Sequence, residues 1–283
     1  MTRGDRRGGR RVRGAALGLL AWLCGIAFFL PVAWMVLTSF HRETDAATNP
    51  PSLAAPLTLH GYREFFGLGG AGVSPWPPLL NSLTASVAST LLVLALAVPA
   101  AYALSIRPVR KWRDVLFFFL STKMLPLVAG LLPVYLVAQN TRMLDSIWLL
   151  VVLYTSMNLP IAVWMMRSFL AEVPMEMLEA ASIDGAGLPT TLVRIVAPVA
   201  LPGIAATALI SFIFSWNELL FARVLTGIVA GTSPVFLTGL VTSQGLFLAK
   251  VCAAATVVSL PVLVAGFAAQ DKLVQGLSLG AVK

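Results

Sequence analysis

Long apolar runs alternate along the chain with short polar segments. The runs cover residues 15–37, about 79–105, 115–138, 147–167, 201–222 and a last stretch ending near 269. Each is close to the ~20 residues that cross a bilayer as a helix. The pattern therefore predicts an all-α polytopic membrane protein with about six transmembrane helices. Residues 1–14 are read as a basic N-terminus, 15–270 as the transmembrane domain and 271–283 as a polar tail. The run at 15–37 is too long for a signal-peptide core, and no clear small-residue cleavage site follows it, so it is expected to be an uncleaved first span.

Prolines punctuate the runs. Pro99 is expected to interrupt the second span, Pro126 and Pro133 fall inside the third, and Asn158-Leu159-Pro160 is expected to break the fourth. Such prolines free backbone carbonyls that must be satisfied by neighbours or by a water-filled path, which favours a bundle interior. The longest non-apolar segment, 41–78, carries Asn49-Pro50-Pro51, Gly69-Gly70 and Trp76-Pro77-Pro78. Within it, residues 58–66 read either as a covering loop or as a short amphipathic helix that lays Tyr62, Phe65 and Phe66 on the outer leaflet or on other spans.

Composition agrees with this picture. Hydrophobic residues make up 58% of the 283 positions and charged residues 11%, with a mean hydropathy of +0.86; a soluble domain carries roughly a quarter charged residues. The net charge of +8 suggests nucleic acid until the basic residues are located. Arg3, Arg6, Arg7, Arg10, Arg11 and Arg13 crowd the N-terminus, and Arg107, Arg110, Lys111 and Arg113 fill one loop between apolar runs. Both clusters flank spans, so they mark the cytoplasmic side. With six spans, both termini are expected in the cytoplasm.

The chemistry-bearing residues exclude several classes. Cys24 and Cys252 lie in apolar runs, and His41 and His60 are the two histidines, so neither a disulfide framework nor a zinc set is expected. The chain has no Gly-x-x-x-x-Gly-Lys-Ser/Thr loop, so ATP hydrolysis would have to come from a separate chain. Lys123, inside the third run, is a functional candidate by its position. It could line a solute path, reach towards the interface, or pair with an acid from another helix. Asn158 is expected to bond a neighbouring helix or Pro-freed backbone rather than a solute. Ser215-Trp216-Asn217-Glu218 offers an indole face with an amide and a carboxylate, a set suited to sugars; residue types alone favour an interfacial tryptophan with a polar helix end.

The most ordered polar segment lies between the fourth and fifth runs, at about 172–198. Pro174 suits a helix start, with Glu176 near the positive end of its dipole. Ala180 and Ala181 would let another surface approach, Glu179 and Asp184 supply polar handles, and Gly185 can take the left-handed conformation that ends a helix. A second helical turn is expected from about Pro189 to Val196. The segment reads as helix, sharp turn, helix, facing water and suited to docking.

The order Glu179-Ala180-Ala181, then Asp184-Gly185-Ala186, then Ile195 and Pro198 resembles the cytoplasmic signature of permease subunits of bacterial ATP-binding-cassette importers. In that family the loop carries the coupling helix, which sits in a cleft of the ATPase subunit. Phe214-Ser215-Trp216-Asn217-Glu218 and the ending Gly276 to Lys283 are similar to the carbohydrate-uptake, maltose-type branch. Ser121-Thr122-Lys123-Met124 and Gln270 to Leu277 look most like sugar-alcohol permeases for mannitol and sorbitol.

This resemblance implies a non-catalytic inner-membrane subunit, paired with a second homologous permease, two ATPases and a periplasmic solute-binding protein. It implies no cofactor on this chain, ATP and Mg being held by the partner ATPase. Trp216, Asn217, Glu218, Lys123 and Asn158 are the candidates for the solute path. The alternatives are a permease for maltose-type oligosaccharides, one for amino acids or peptides, and a proton-coupled secondary carrier. The last would need more buried titratable groups than Lys123.

Overall fold

The computed structural model describes residues 3–48, 54–68, 73–106, 109–241 and 247–280, the side chains of 3–13 and 273–280 excepted. Asn49-Pro50-Pro51, Gly69-Gly70, Arg107 and the last three residues lie outside the described residues, as do the side chains of the N-terminal arginines. The helices are α1 (Arg3–Ser39), α2 (Glu43–Ala46), α3 (His60–Phe65), α4 (Trp76–Ser105), α5 (Trp112–Ser121), α6 (Leu127–Asn140), α7 (Ile147–Leu170) and α8 (Met175–Ile183). They continue as α9 (Leu188–Thr190), α10 (Ala197–Val199), α11 (Leu201–Trp216), α12 (Leu220–Leu225), α13 (Ser233–Leu240) and α14 (Leu248–Gly280). A 3-10 turn, Thr122–Met124, follows α5, and a π-turn, Thr191–Val196, links α9 to α10. The fold is all-α, as the apolar pattern predicts, with no strand among the described residues.

Four helical stretches are long and apolar enough to cross a membrane: Gly14–Ser39, Trp76–Ser105, Ile147–Leu170 and Leu248–Lys272. Two more spans result if each bent pair counts as one. Trp112–Met124 and Leu127–Asn140 meet at 87°, and Leu188–Val199 meets Leu201–Trp216 at 85°.

Where the prolines break helices differs from the sequence expectation. The third run is not one span, because Pro126 forces Leu125 into an extended conformation (φ −70°, ψ 129°) and α6 restarts beyond it. Pro133 sits inside α6 without ending it. The fourth run is unbroken: α7 passes through Pro160, and α4 likewise passes through Pro99. Asn158 and Pro160 are both buried, so packing holds the helix through the missing bond. The fifth run ends early at Trp216, and α12 starts anew at Leu220.

The chain divides into two units, residues 1–74 with 240–257 and residues 75–239 with 258–283. In the first unit, α3 exists as a packed helix and not as a covering loop. Phe65 is 1% exposed, the Tyr62 and Ser39 hydroxyls are 2.7 Å apart, and Tyr62 lies 5.2 Å from the Phe40 ring. Gly61 presses on α14, where an added Cβ would come within 3.0 Å of the Ala249 carbonyl oxygen. The Glu43 carboxylate accepts the N–H groups of Ala249 (3.1 Å) and Lys250 (2.8 Å), satisfying donors that the first turn of α14 cannot pair internally.

In the second unit, α4, α7 and α11 form the core. Ala85, Ser86, Ser89, Ala97 and Ala101 on α4 are essentially inaccessible. These small side chains let neighbouring helices approach closely where no water drives association. One apolar cluster joins Val93, Ala97 and Ala101 to Val163, Met166 and Leu170 of α7; another joins Ala85 to Leu150, Tyr154, Phe221 and Leu225. Trp112 opens α5 and receives the Arg167 guanidinium over its ring at 3.9 Å, covering the end of α7. At the start of α11, Gly203 faces the Phe169 ring so closely that an added Cβ would overlap it.

The connection between α12 and α13 is stapled from two helices. Asp145, just before α7, takes the N–H groups of Gly227 (2.8 Å), Val229 (3.0 Å) and Ala230 (2.8 Å). Asn81 of α4 donates to the carbonyls of Val229 (2.8 Å) and Gly231 (3.0 Å). Asp145 adopts φ 56°, which aspartate and asparagine tolerate better than most residues. Partial burial opposes ionisation of its carboxyl, but the backbone N–H groups of Ala230, Gly227, Val229 and Ile228 outweigh it and hold the pKa below the ordinary carboxylate value.

Two predictions follow from this packing. Gly203→Leu should destabilise the detergent-purified assembly by about 1–3 kcal/mol through overpacking, and Phe169→Ala in the same chain should recover part of the loss; thermal melting measures both. The stabilisation from Asp145 should be complete above the ordinary carboxyl pKa of about 4 and vanish as pH falls through the lower folded value. Melting of Asp145→Asn should thus lie below wild type at pH 6 and converge with it under strong acid. A gap unchanged by pH would show that the carboxylate charge is not what holds the loop.

Candidate functional site

The loop between α7 and α11 is built around α8. Pro174 is its N-cap, Glu176 lies in its first turn, and Leu178 and Ala181 turn inward, 9% and 5% exposed. Leu178 joins the core with Val173 and Val196. Successive helix positions are about 100° apart, so the two adjacent alanines cannot share a face. Ala180 is exposed, and Ala181 is part of the packing instead of the outer surface expected for it. Glu179, Asp184 and Pro198 are exposed, Ala186 and Ile195 partly so. Met175, Met177 and Ile183 present apolar surface beside them, Ile183 being 86% exposed.

The end of α8 is fixed by backbone geometry. Gly185 takes φ 76°, its N–H donates to the Ser182 carbonyl (3.2 Å), and the Ala186 N–H donates to the Ala181 carbonyl (2.9 Å). This is a Schellman pair, which satisfies carbonyls left open at a helix end. No atom would crowd an added Cβ at Gly185, so the glycine is needed for its conformation. The chain then reverses, and the Thr191 N–H and hydroxyl both return to the Gly187 carbonyl at 3.0 and 3.2 Å.

The residues proposed from sequence for a solute path do not form one cluster. Trp216 is 2% exposed, its Nε1–H donates to the Val258 carbonyl (3.1 Å), and its ring stacks on Phe212 at 5.7 Å. No sugar can reach that indole face. The Glu218 carboxylate accepts the N–H groups of Phe221 (3.1 and 3.2 Å) and Ala222 (3.3 Å), capping α12. Asn158 is fully buried and its Nδ2 donates to Ser215 Oγ (3.0 Å), which also lies 3.0 Å from Ser89 Oγ. It ties α7 to α11, while Ser215 reaches on to α4. Asn217 is exposed, with its Nδ2 donating to the Ile213 carbonyl (2.9 Å).

Lys123 has a different setting. It occupies the turn between the bent helices α5 and α6 and lines a cavity of about 230 Å3 with Thr122, Leu127, Ser156, Pro160 and Phe221, among others. Among the described residues, no carboxylate lies within ion-pair distance of it.

Comparison with known proteins connects these features. Residues 94–278 match the family described as binding-protein-dependent transport system inner membrane component, a stretch that includes α8, its Schellman end and the Lys123 turn. The chain is similar to a probable ABC transporter permease of Sinorhizobium fredii, 38% identical over 94% of this chain and 95% of that protein. It is also similar to the diacetylchitobiose uptake system permease of Streptomyces coelicolor, 29% identical over 91% and 93%. A solved bacterial ABC transporter involved in import of the acidic polysaccharide alginate shares the fold, with a TM-score of 0.75, 21% identity and 96% of this chain covered against 99% of that one. With most of its length matched in this way, the chain belongs to the family of inner-membrane components of binding-protein-dependent transport systems.

Proposed function

We propose that this chain is one of the membrane-spanning permeases of an ABC importer for carbohydrates, working with a second permease, two ATPase subunits and a solute-binding protein. The observation that carries the reading is α8: a short helix with a fixed end, displaying Glu179, Ala180, Ile183 and Asp184 outward while Leu178 and Ala181 root it in the core. The remaining coupling residues have supporting parts. Gly185 and Ala186 close the helix, and Ile195 and Pro198 lie on the return segment. ATP and Mg are held by the partner ATPase.

Physically, an ATPase can shift a two-state path only through contacts that differ between the states. An outward Ile183 flanked by methionines would supply the desolvated anchor of such a contact. Residues 172–198 lie directly between α7 and α11, so a displacement of α8 would reach both. In this reading the loop faces the cytoplasm, together with the basic segment Arg110, Lys111 and Arg113.

For the solute, a relative named for diacetylchitobiose uptake supports a carbohydrate. The short resemblances at Ser121 to Met124 and Gln270 to Leu277 favour a sugar alcohol within that class.

Glu179→Lys and Gly185→Pro should each abolish most uptake while the chain still inserts and its spans stay folded. Normal uptake by both would remove the coupling role. Uptake of labelled diacetylchitobiose, trehalose, maltose, mannitol and sorbitol by cells lacking this gene, with and without complementation, tests the substrate class. Loss and rescue for mannitol or sorbitol alone selects sugar alcohols, and loss and rescue for a disaccharide alone excludes them. Unchanged uptake of all five refutes the carbohydrate reading.

A further inference from the structure

The cavity at the α5–α6 break combines three features. First, the helix is discontinuous there, bent by 87°, and discontinuous spans are where membrane carriers place solute sites. Second, the wall offers donors without built-in acceptors. Lys123 has no carboxylate partner among the described residues, and α6, which is 14 residues long, opens with Leu127 on the same wall. The first N–H groups of a helix have no intrahelical partner and carry the positive end of its dipole. Third, the lining includes a carbonyl that its own helix leaves without an N–H. Pro160 has no N–H to give the Ser156 carbonyl four residues before it, and both residues line the cavity.

Donors and acceptors on one small wall suit a group that is both, and a sugar hydroxyl is such a group. The remaining lining residues, Leu125, Leu153, Met157 and Phe221, supply apolar contact for C–H faces. The hydroxyls of Ser121, Thr122 and Ser156 are already committed to the Phe118, Phe119 and Leu153 carbonyls, at 2.8, 2.7 and 2.8 Å. As donors they are spent, so Lys123 is the side-chain donor left for a solute. At about 230 Å3 the cavity has room for at least one sugar ring or one hexitol.

We propose that this cavity is a solute subsite that takes part of the transported carbohydrate, with Lys123 donating to its oxygens. The proposal rests on the carbohydrate-importer reading and adds to it a residue that binds solute. It also reassigns the polar residues near the end of α11: Trp216 and Glu218 build the helix break, and recognition lies at Lys123, in the cavity that Phe221 lines.

The test uses the importer purified with its partner permease, ATPases and binding protein and reconstituted in vesicles. Lys123→Met keeps the length and apolar character of the side chain and removes the donor; Lys123→Arg keeps a cationic donor. With a saturating sugar that the wild type transports, Lys123→Met should lower the maximal uptake rate about tenfold, the value of one charge-assisted hydrogen bond. Lys123→Arg should retain most of the rate, and ATP hydrolysis without sugar and copurification of the ATPases should be unchanged in both. Wild-type uptake by Lys123→Met would overturn the subsite and leave the importer intact. Equal loss in Lys123→Met and Lys123→Arg, or loss of ATPase copurification, would assign Lys123 a structural role and overturn it as well. A wild-type assembly that moves none of the five sugars named above would instead sink the carbohydrate reading, and the subsite with it.

Discussion

In a bilayer there is no water to satisfy a backbone N–H or C=O, so a helix interruption must be paired within the protein or line a water-filled cavity. The whole structure is organised by how this chain meets that demand. At the end of α5, Ser121 and Thr122 hydroxyls take up carbonyls. At the start of α12, Glu218 takes up N–H groups; before α13, Asp145 does the same for three; and Glu43 serves the start of α14. Carboxylates here are spent on main-chain donors. Consequently, among the described residues, Lys123 is left without a counter-charge.

The helical fold was legible because hydrophobicity at near-membrane length admits few alternatives. Proline was a weaker guide. Pro126 ended a helix, while Pro160 and Pro99 did not, because the effect of a proline depends on whether packing holds the helix on both sides of it. That is a tertiary fact, absent from the local pattern. Gly185 was legible for the opposite reason: its conformation is set by neighbours within five residues, so a local reading suffices.

The site was legible in part. Residue types at 216–218 suggested sugar chemistry, but the direction in which each side chain points depends on where α11 stops. With the helix ending at Trp216, the indole turns to Val258 and the carboxylate to the next helix, leaving Asn217 outside. The two residues that staple the α12–α13 connection, Asp145 and Asn81, carried a faint signal at best. An aspartate just ahead of a helix reads as an ordinary capping residue, and an asparagine in the second turn of a span reads as interfacial polarity. Their shared target lies roughly 80 and 150 positions further along the chain, beyond any local pattern.

That staple has a mechanical consequence. Asp145 leads into α7 and Asn81 belongs to α4, the two most closely packed helices of the core, and they grip one strap of backbone by its donors and by its acceptors. A strap clamped in both senses has no hinge of its own. At this end of the bundle, α4, α7 and the start of α13 behave as one rigid truss. Within this second unit the chain turns sharply at two other places, where α5 meets α6 and where α10 meets α11, at 87° and 85°, and bending of the unit is expected at those elbows before it is at the strap.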